Sequence, residues 1–167
     1  MGLFDKWKKK ETGAGDAIVA VVNGEMIPPE QISDPTFAKE LMGQTIGFEP
    51  ADGTIVSPCD GIVEVLYPTR HAFALRRADG TGILVHIGID TVNLNGDGFT
   101  AFVSQGDRVR AGDRIVQVDL SALRASHLEA TTMLVIMEPA RPGQTITFTD
   151  YGVVRRGEII TRSQEAV

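Results

Sequence analysis

Three histidines, His71, His86 and His127, are the groups in this chain best suited to chemistry near neutral pH. Imidazole changes charge in that range, and its neutral nitrogen is a nucleophile. His71 stands in Thr69-Arg70-His71-Ala72-Phe73, and His86 in Ile83-Leu84-Val85-His86-Ile87-Gly88-Ile89-Asp90. If residues 82–90 are extended, alternation puts Leu84, His86, Gly88 and Asp90 on one face and Ile83, Val85, Ile87 and Ile89 on the other. Gly88, lacking a side chain, then leaves open space beside the His86 imidazole for a phosphoryl group or another protein. Thr69 and His71 share a face by the same parity. The turn Ala78-Asp79-Gly80 makes the two segments antiparallel neighbours, which brings both imidazoles together.

That pair suits phosphoryl transfer. A neutral imidazole attacks phosphorus, and the phosphoramidate it forms is labile enough to pass the group onward. A second imidazole can donate a hydrogen bond to charge developing on the phosphoryl oxygens, provided its tautomer is fixed, and the Thr69 hydroxyl is placed to fix it. Arg70 adds a cation that would strengthen phosphate binding. No Gly-x4-Gly-Lys-Ser/Thr loop is present to cradle a triphosphate, so phosphate must arrive from another protein. His127, in Ala125-Ser126-His127-Leu128, reads as a surface residue. Cys59 is the only cysteine, which excludes an intramolecular disulfide and a Cys-x-x-Cys site and points to a reducing compartment. Following Pro58 at a turn, with nothing beside it to stabilise a thiolate, it reads as small filler.

The elements that must position these groups are short apolar runs separated by Gly, Pro, Asp and Asn, the pattern of an all-β antiparallel sandwich or barrel. Strands are expected at 17–22, 54–57, 62–67, 71–76, 82–87, 108–119, 133–137 and 144–148. Asp34-Pro35 ahead of Thr36–Met42 and Gly43 predicts a short helix with Asp34 as its N-cap, placing Phe37 and Leu41 on one face. A second short helix is expected over Leu120–Glu129. A faint echo between residues 53–63 and 106–116, each strand, Gly-Asp or Asp-Gly turn, strand, favours a duplicated β fold.

The 167 residues suffice for one domain with its own core. A flexible segment is expected over residues 1–16 and the folded domain over 17–167. Within residues 1–10, Leu3, Phe4 and Trp7 sit at helical spacing among Lys6, Lys8, Lys9 and Lys10, which suits weak contact with an anionic membrane surface. The same residues also suit a solvated tail. A net charge of −6 argues against nucleic acid and for partners with basic surfaces. No long apolar run or signal-peptide pattern occurs, so a cytoplasmic protein is expected.

The run Leu84-Val85-His86-Ile87-Gly88-Ile89-Asp90-Thr91-Val92, with Thr69-Arg70-His71-Ala72-Phe73 upstream, closely resembles the glucose-type enzyme IIA (EIIA) of the bacterial sugar phosphotransferase system. The likeness extends through Gly-Leu-Phe-Asp-Lys at the start, Ser57-Pro58-x-Asp60-Gly61, Gly96-x-Gly98-Phe99 and Gly106-x-x-Val109-x-x-Gly112-Asp113. It implies a β-sandwich of the duplicated hybrid-motif type with a shallow apolar depression. There His86 would take phosphate on Nε2 from the phosphorylated histidine-containing carrier protein, HPr. It would pass the group to the cysteine of a IIB sugar-permease domain. His71 matches the transition-state partner and Thr69 the hydroxyl that holds it. Asp34 and Asp90 match acids flanking the depression, and Phe37, Leu41, Tyr67, Leu84 and Val92 its apolar contact rim. Asp34 is equally explained as a helix cap. Leu84 replaces an aromatic of the enteric form, and Arg70 a usually neutral residue. The unphosphorylated form is implied to bind regulatory targets.

A zinc hydrolase on the same fold is the rival reading, with a purely regulatory binding module as a third. Two histidines and an aspartate could serve as zinc ligands, of which at least three are needed, but the His-x-His pair that such peptidases use is lacking and no third histidine is close in sequence. The carrier itself requires no cofactor, although His71 and His86 could share zinc with a partner's carboxylate. A swinging-arm carrier would need an exposed lysine in Met-Lys-Met or Asp-Lys-Ala, and neither tripeptide occurs.

Overall fold

The structure, a computed structural model, describes residues 17–162. The expectations for residues 1–16 lie outside them. The described residues form strands β1 (Gly24–Ile27), β2 (Gln44–Pro50), β3 (Thr54–Val56), β4 (Gly61–Leu66), β5 (Ala72–Arg76), β6 (Gly82–Ile87), β7 (Phe99–Ala101), β8 (Arg108–Val109), β9 (Arg114–Val118), β10 (Thr132–Glu138) and β11 (Gly152–Val154). Two short α-helices, α1 (Pro35–Ala38) and α2 (Leu120–Ala125), and 3₁₀ turns at Pro29–Gln31 and Thr91–Leu94 complete them. All paired strands are antiparallel. One sheet runs β11-β1-β2-β10-β6-β5-β4-β8 and the other β3-β9-β7, and together they make the expected sandwich.

Alternation decides what each strand buries. On β6, Ile83, Val85 and Ile87 point into the main core, where they join Phe73 and Leu75 of β5, Phe48 of β2 and Val116 of β9. The opposite face of the large sheet carries a smaller apolar cluster: Leu84, Ala72, Met133 and Val135 from the strands, covered by Ile32, Phe37 and Ile89. A strand buried on both faces reads as a continuous apolar run, and Gly82–Ile87 does so except at His86. The chemistry therefore sits at the end of the smaller cluster, where this cover stops.

Several expected elements differ. Residues 17–22 and 144–148 form no named strand. The first contributes an isolated bridge, Val19 to Ile159, and the second another, Phe148 to Thr161. Burial of Ile18–Val22 reflects packing against the chain's far end, which mimics a strand's apolar run. The expected strand over 108–119 divides into β8 and β9, which join different sheets, because the chain turns at Gly112 with φ +91. Strands β1, β2, β7 and β11 were not anticipated; glycines in β1, β2 and β11 weaken the apolar alternation, and β7 spans only Phe99–Ala101. Helix α1 stops at Ala38, ahead of Glu40 in the left-handed region at φ 54. Helix α2 stops at Ala125, and His127, at φ 58, carries the chain out of it. No helix among the described residues is long and apolar enough to cross a membrane.

Phe73 is fully buried on the core side of the strand that follows His71. Phe73→Ala should destabilise the fold by about 3–5 kcal/mol. A urea denaturation midpoint that drops without a large change in slope would register that loss.

Candidate functional site

The β4–β5 hairpin brings His71 into position. Its turn is closed by Arg70 N–H donating to the Tyr67 carbonyl at 2.7 Å and Tyr67 N–H to the Ala72 carbonyl at 3.1 Å, with Arg70 in the left-handed region at φ 60. Thr69 is thus in a turn, and strand parity does not relate it to His71. The expected bond forms nonetheless, with Thr69 Oγ1 2.6 Å from His71 Nδ1. Across the β5–β6 ladder, Ala72 faces His86, and Ile87 N–H donates to the His71 carbonyl at 2.7 Å. The two rings meet edge to face, centroids 5.0 Å apart at an interplanar angle of 83°.

Beyond Ile87 alternation ends, because Gly88 (φ +78) and Asp90 (φ 60) are both left-handed. Ile89 consequently packs with Leu84 and Phe37 rather than with Ile83, Val85 and Ile87. Gly88 does not leave open space. A Cβ there would lie 2.4 Å from Thr91 Cγ2 and 3.0 Å from the Glu129 carbonyl oxygen. What the glycine supplies is its own carbonyl, 2.8 Å from His86 Nδ1. A carbonyl can only accept, so the neutral ring carries its proton on Nδ1 and keeps the lone pair on Nε2. The Thr91 hydroxyl, fully buried, donates to the Ile87 carbonyl at 2.5 Å and fixes the same turn. These contacts escaped the sequence reading, although a glycine closing an apolar strand is itself a signal for positive φ.

The surroundings are apolar. Phe37 lies 5.2 Å from the His86 ring and Tyr67 5.5 Å from the His71 ring, centroid to centroid. Of the five expected rim residues, Leu41, Tyr67 and Val92 are exposed, whereas Phe37 and Leu84 are buried and form wall and floor. Burial pushes the His86 imidazole below its usual range, against the Gly88 hydrogen bond and the nearby carboxylates of Asp34 and Asp90, which pull the other way. Asp34 also caps α1, its carboxylate accepting from Thr36 N–H at 2.9 Å, so both readings of this residue have a physical basis. The Arg70 guanidinium reaches towards the Phe99 carbonyl at 3.5 Å.

His127 is exposed, as expected. Cys59 is fully buried, and that burial pushes its thiol up to about 12, in keeping with inert filler. Among the described residues, no three His, Cys, Asp or Glu side chains converge to hold a metal ion. Two imidazoles could contribute to a zinc site only with ligands from elsewhere.

A family model described as "phosphoenolpyruvate-dependent sugar phosphotransferase system, EIIA 1" matches residues 16–141. The chain belongs to this EIIA 1 family. The EIIA chain is 40% identical over 119 residues to the PTS system glucose-specific EIIA component of Oceanobacillus iheyensis, covering 71% of this chain and 72% of the relative. It is 38% identical over 151 residues to the component of the same name from Staphylococcus aureus strain COL, covering 90% of each. The PTS system glucose-specific EIICBA component of Staphylococcus saprophyticus is 46% identical over 119 residues, but the chain spans only 18% of that longer protein. Among solved structures, the glucose permease IIA from Mycoplasma capricolum superposes with a TM-score of 0.82 at 30% identity, over 87% of this chain and 93% of that one. The EIIA chain is thus a component of a sugar phosphotransferase system with the β-sandwich fold.

Two expectations test this geometry. Gly88→Ala would add about 1–2 kcal/mol of left-handed strain and a clash with Thr91, so it should displace the carbonyl from His86 Nδ1. Nitrogen-15 chemical shifts of the His86 ring should then show a mixed tautomer in place of Nδ1–H alone. Burial, and then the neighbouring His86, push His71 from 6.5 down to about 4. Between those values the unfolded chain binds a proton that the folded protein refuses, so this share of stability is complete above 6.5 and fades as pH falls towards 4. In urea denaturation, His71→Gln should flatten that part of the acid limb.

Proposed function

We propose that this chain is a phosphocarrier whose His86 Nε2 takes the phosphoryl group from the phosphorylated histidine-containing carrier protein and delivers it to the cysteine of a IIB domain. The observation that carries the reading is the bond from His86 Nδ1 to the Gly88 carbonyl at 2.8 Å, beside a second imidazole 5.0 Å away. It leaves one nitrogen, in an apolar setting, free to attack. In loading, the phosphorus–nitrogen bond of the donor breaks as a new bond to Nε2 forms in line, while the proton stays on Nδ1, hydrogen-bonded to the Gly88 carbonyl. In delivery the thiolate of the acceptor cysteine displaces Nε2, and the ring returns to its neutral form.

Position and polarity supply the catalysis. With the Thr69 hydroxyl donating to Nδ1, His71 presents its Nε2–H towards the reacting phosphoryl oxygens. Lowered proton affinity keeps both rings neutral at pH 7, one ready to attack and the other to donate. Asp34 and Asp90 flank the depression with negative charge and suit a basic donor surface, while exposed Leu41, Tyr67 and Val92 suit its apolar contacts. The names of the relatives support glucose as the sugar, and the EIICBA relative supports IIB and IIC domains as partners. Such a donor and acceptor act in the cytoplasm, at the inner face of the membrane.

Incubation with labelled phosphoenolpyruvate and the two general phosphotransferase proteins should give one acid-labile phosphoryl group per chain, lost in His86→Ala. A stable, unchanged label in that variant would sink the assignment. His71→Gln should still load, but delivery to the IIB cysteine should slow by roughly 10²- to 10³-fold, as for loss of one oxyanion donor. Phosphorylation also places about two negative charges in an apolar hollow. A target held by the bare protein should therefore be released by the phosphorylated one, measurable as loss of co-elution; equal retention of both forms would rule the switch out.

A further inference from the structure

Residues 126–131, the link between α2 and β10, grip both acid-bearing segments of the site. Ser33, one residue ahead of Asp34, donates its hydroxyl to Glu129 Oε2 at 2.5 Å. On the other side, Ile89 N–H, one residue ahead of Asp90, donates to the Glu129 carbonyl at 3.0 Å, and Gly88 N–H to the Thr131 carbonyl at 3.0 Å. Glu129 thus touches one segment with its side chain and the other with its backbone. What hangs on each contact differs. Asp34 caps α1, which carries Phe37 against the His86 ring, while the Gly88–Asp90 turn carries the carbonyl that orients that ring.

The segment from Pro29 to Thr36 has few other anchors. Ile32 is its buried residue, seated in the smaller cluster, and the rest are partly or fully exposed. A charge-assisted bond from a carboxylate is stronger than a neutral one, and here it joins positions 96 residues apart in sequence. Without it, the cap and its helix would be tied to the turn only through apolar contacts, which resist separation but tolerate sliding.

We infer that Glu129 is a positioning residue, a latch that holds the Asp34–Phe37 segment in register with the Gly88–Asp90 turn so that a phosphoryl donor meets two carboxylates at a fixed spacing. The inference rests on the reading of His86 as phosphoryl acceptor. Glu129 touches neither reacting nitrogen, and its effect is on docking rather than on the chemical step.

The test is steady-state transfer from phosphorylated histidine-containing carrier protein to the full chain, with amide hydrogen exchange measured in parallel. Glu129→Ala should raise KM for the donor roughly three- to tenfold, the range for one lost hydrogen bond, with kcat nearly unchanged. Glu129→Gln, whose amide oxygen still accepts from Ser33 in a weaker, neutral bond, should raise KM less than Glu129→Ala; impairment equal to that of Glu129→Ala would mean that charge alone matters and would overturn the latch. Ser33→Ala should reproduce Glu129→Ala, and the double variant should be no worse than either. The amides of Phe37, Ala38 and Lys39, bonded to the Asp34 and Pro35 carbonyls, should exchange faster in both single Ala variants while that of Val85 stays protected. Unchanged exchange and unchanged KM would refute the proposal. If Glu129→Ala fails to fold, Ser33→Ala carries the same comparison. If the wild type accepts no phosphoryl group, the reading of His86 fails, and hydrogen exchange alone still decides whether the latch exists.

Discussion

A glycine at φ +78 bends its carbonyl back against the imidazole two residues earlier, and the site is organised around the proton held in that bond. Several independent contacts keep this reversal in place. The Gly88 N–H is tied to Thr131, the following N–H to Glu129, and the Thr91 hydroxyl to the strand's last carbonyl. No room exists for a methyl group at Gly88. A backbone carbonyl has no rotamer of its own, so the ring's tautomer follows from the path of the main chain. Strand β6 contributes in turn by being buried on both faces, which leaves the imidazole few alternatives to the position it holds.

Much of this was legible in the residues, and what was not has an identifiable cause. Alternation along Gly82–Ile87 was read correctly because that segment is a true strand, and the Ala78-Asp79-Gly80 turn gave the pairing that brings the imidazoles together. The same rule failed one residue later. Left-handed residues at 88 and 90 cancel parity, so Ile89 crossed to the other apolar cluster and Gly88 became a packed turn instead of a gap. For Thr69 the reasoning was wrong and its outcome right, since a hairpin turn rather than a shared strand face sets the hydroxyl against His71. Long-range side-chain ties such as Ser33 to Glu129 have no periodic signature and could not be read at all. Splitting of the apolar rim into buried and exposed members likewise depends on where α1 lies over the sheet, which no local pattern encodes.

The balance of electrostatics is as informative as the geometry. Desolvation lowers the proton affinity of both rings, but only His86 has carboxylates working against it. The partition suits two rings with unequal duties. In the proposed carrier role, one would accept a strongly charged group and let it go, and the other would stay neutral to offer a hydrogen.

The burial of Cys59 has its own consequence for the proposed relay of phosphorus between imidazoles and sulfur. A carrier with a reactive thiol of its own would risk becoming its own acceptor, trapping cargo as a dead-end S-phosphocysteine, or being lost to oxidative coupling with a neighbour. With no exposed surface and with burial holding its proton well above the usual thiol range, this sulfur is silent towards both fates. In the proposed transfer, phosphorus is thereby carried on nitrogen alone, and the sulfur that would receive it belongs to another domain.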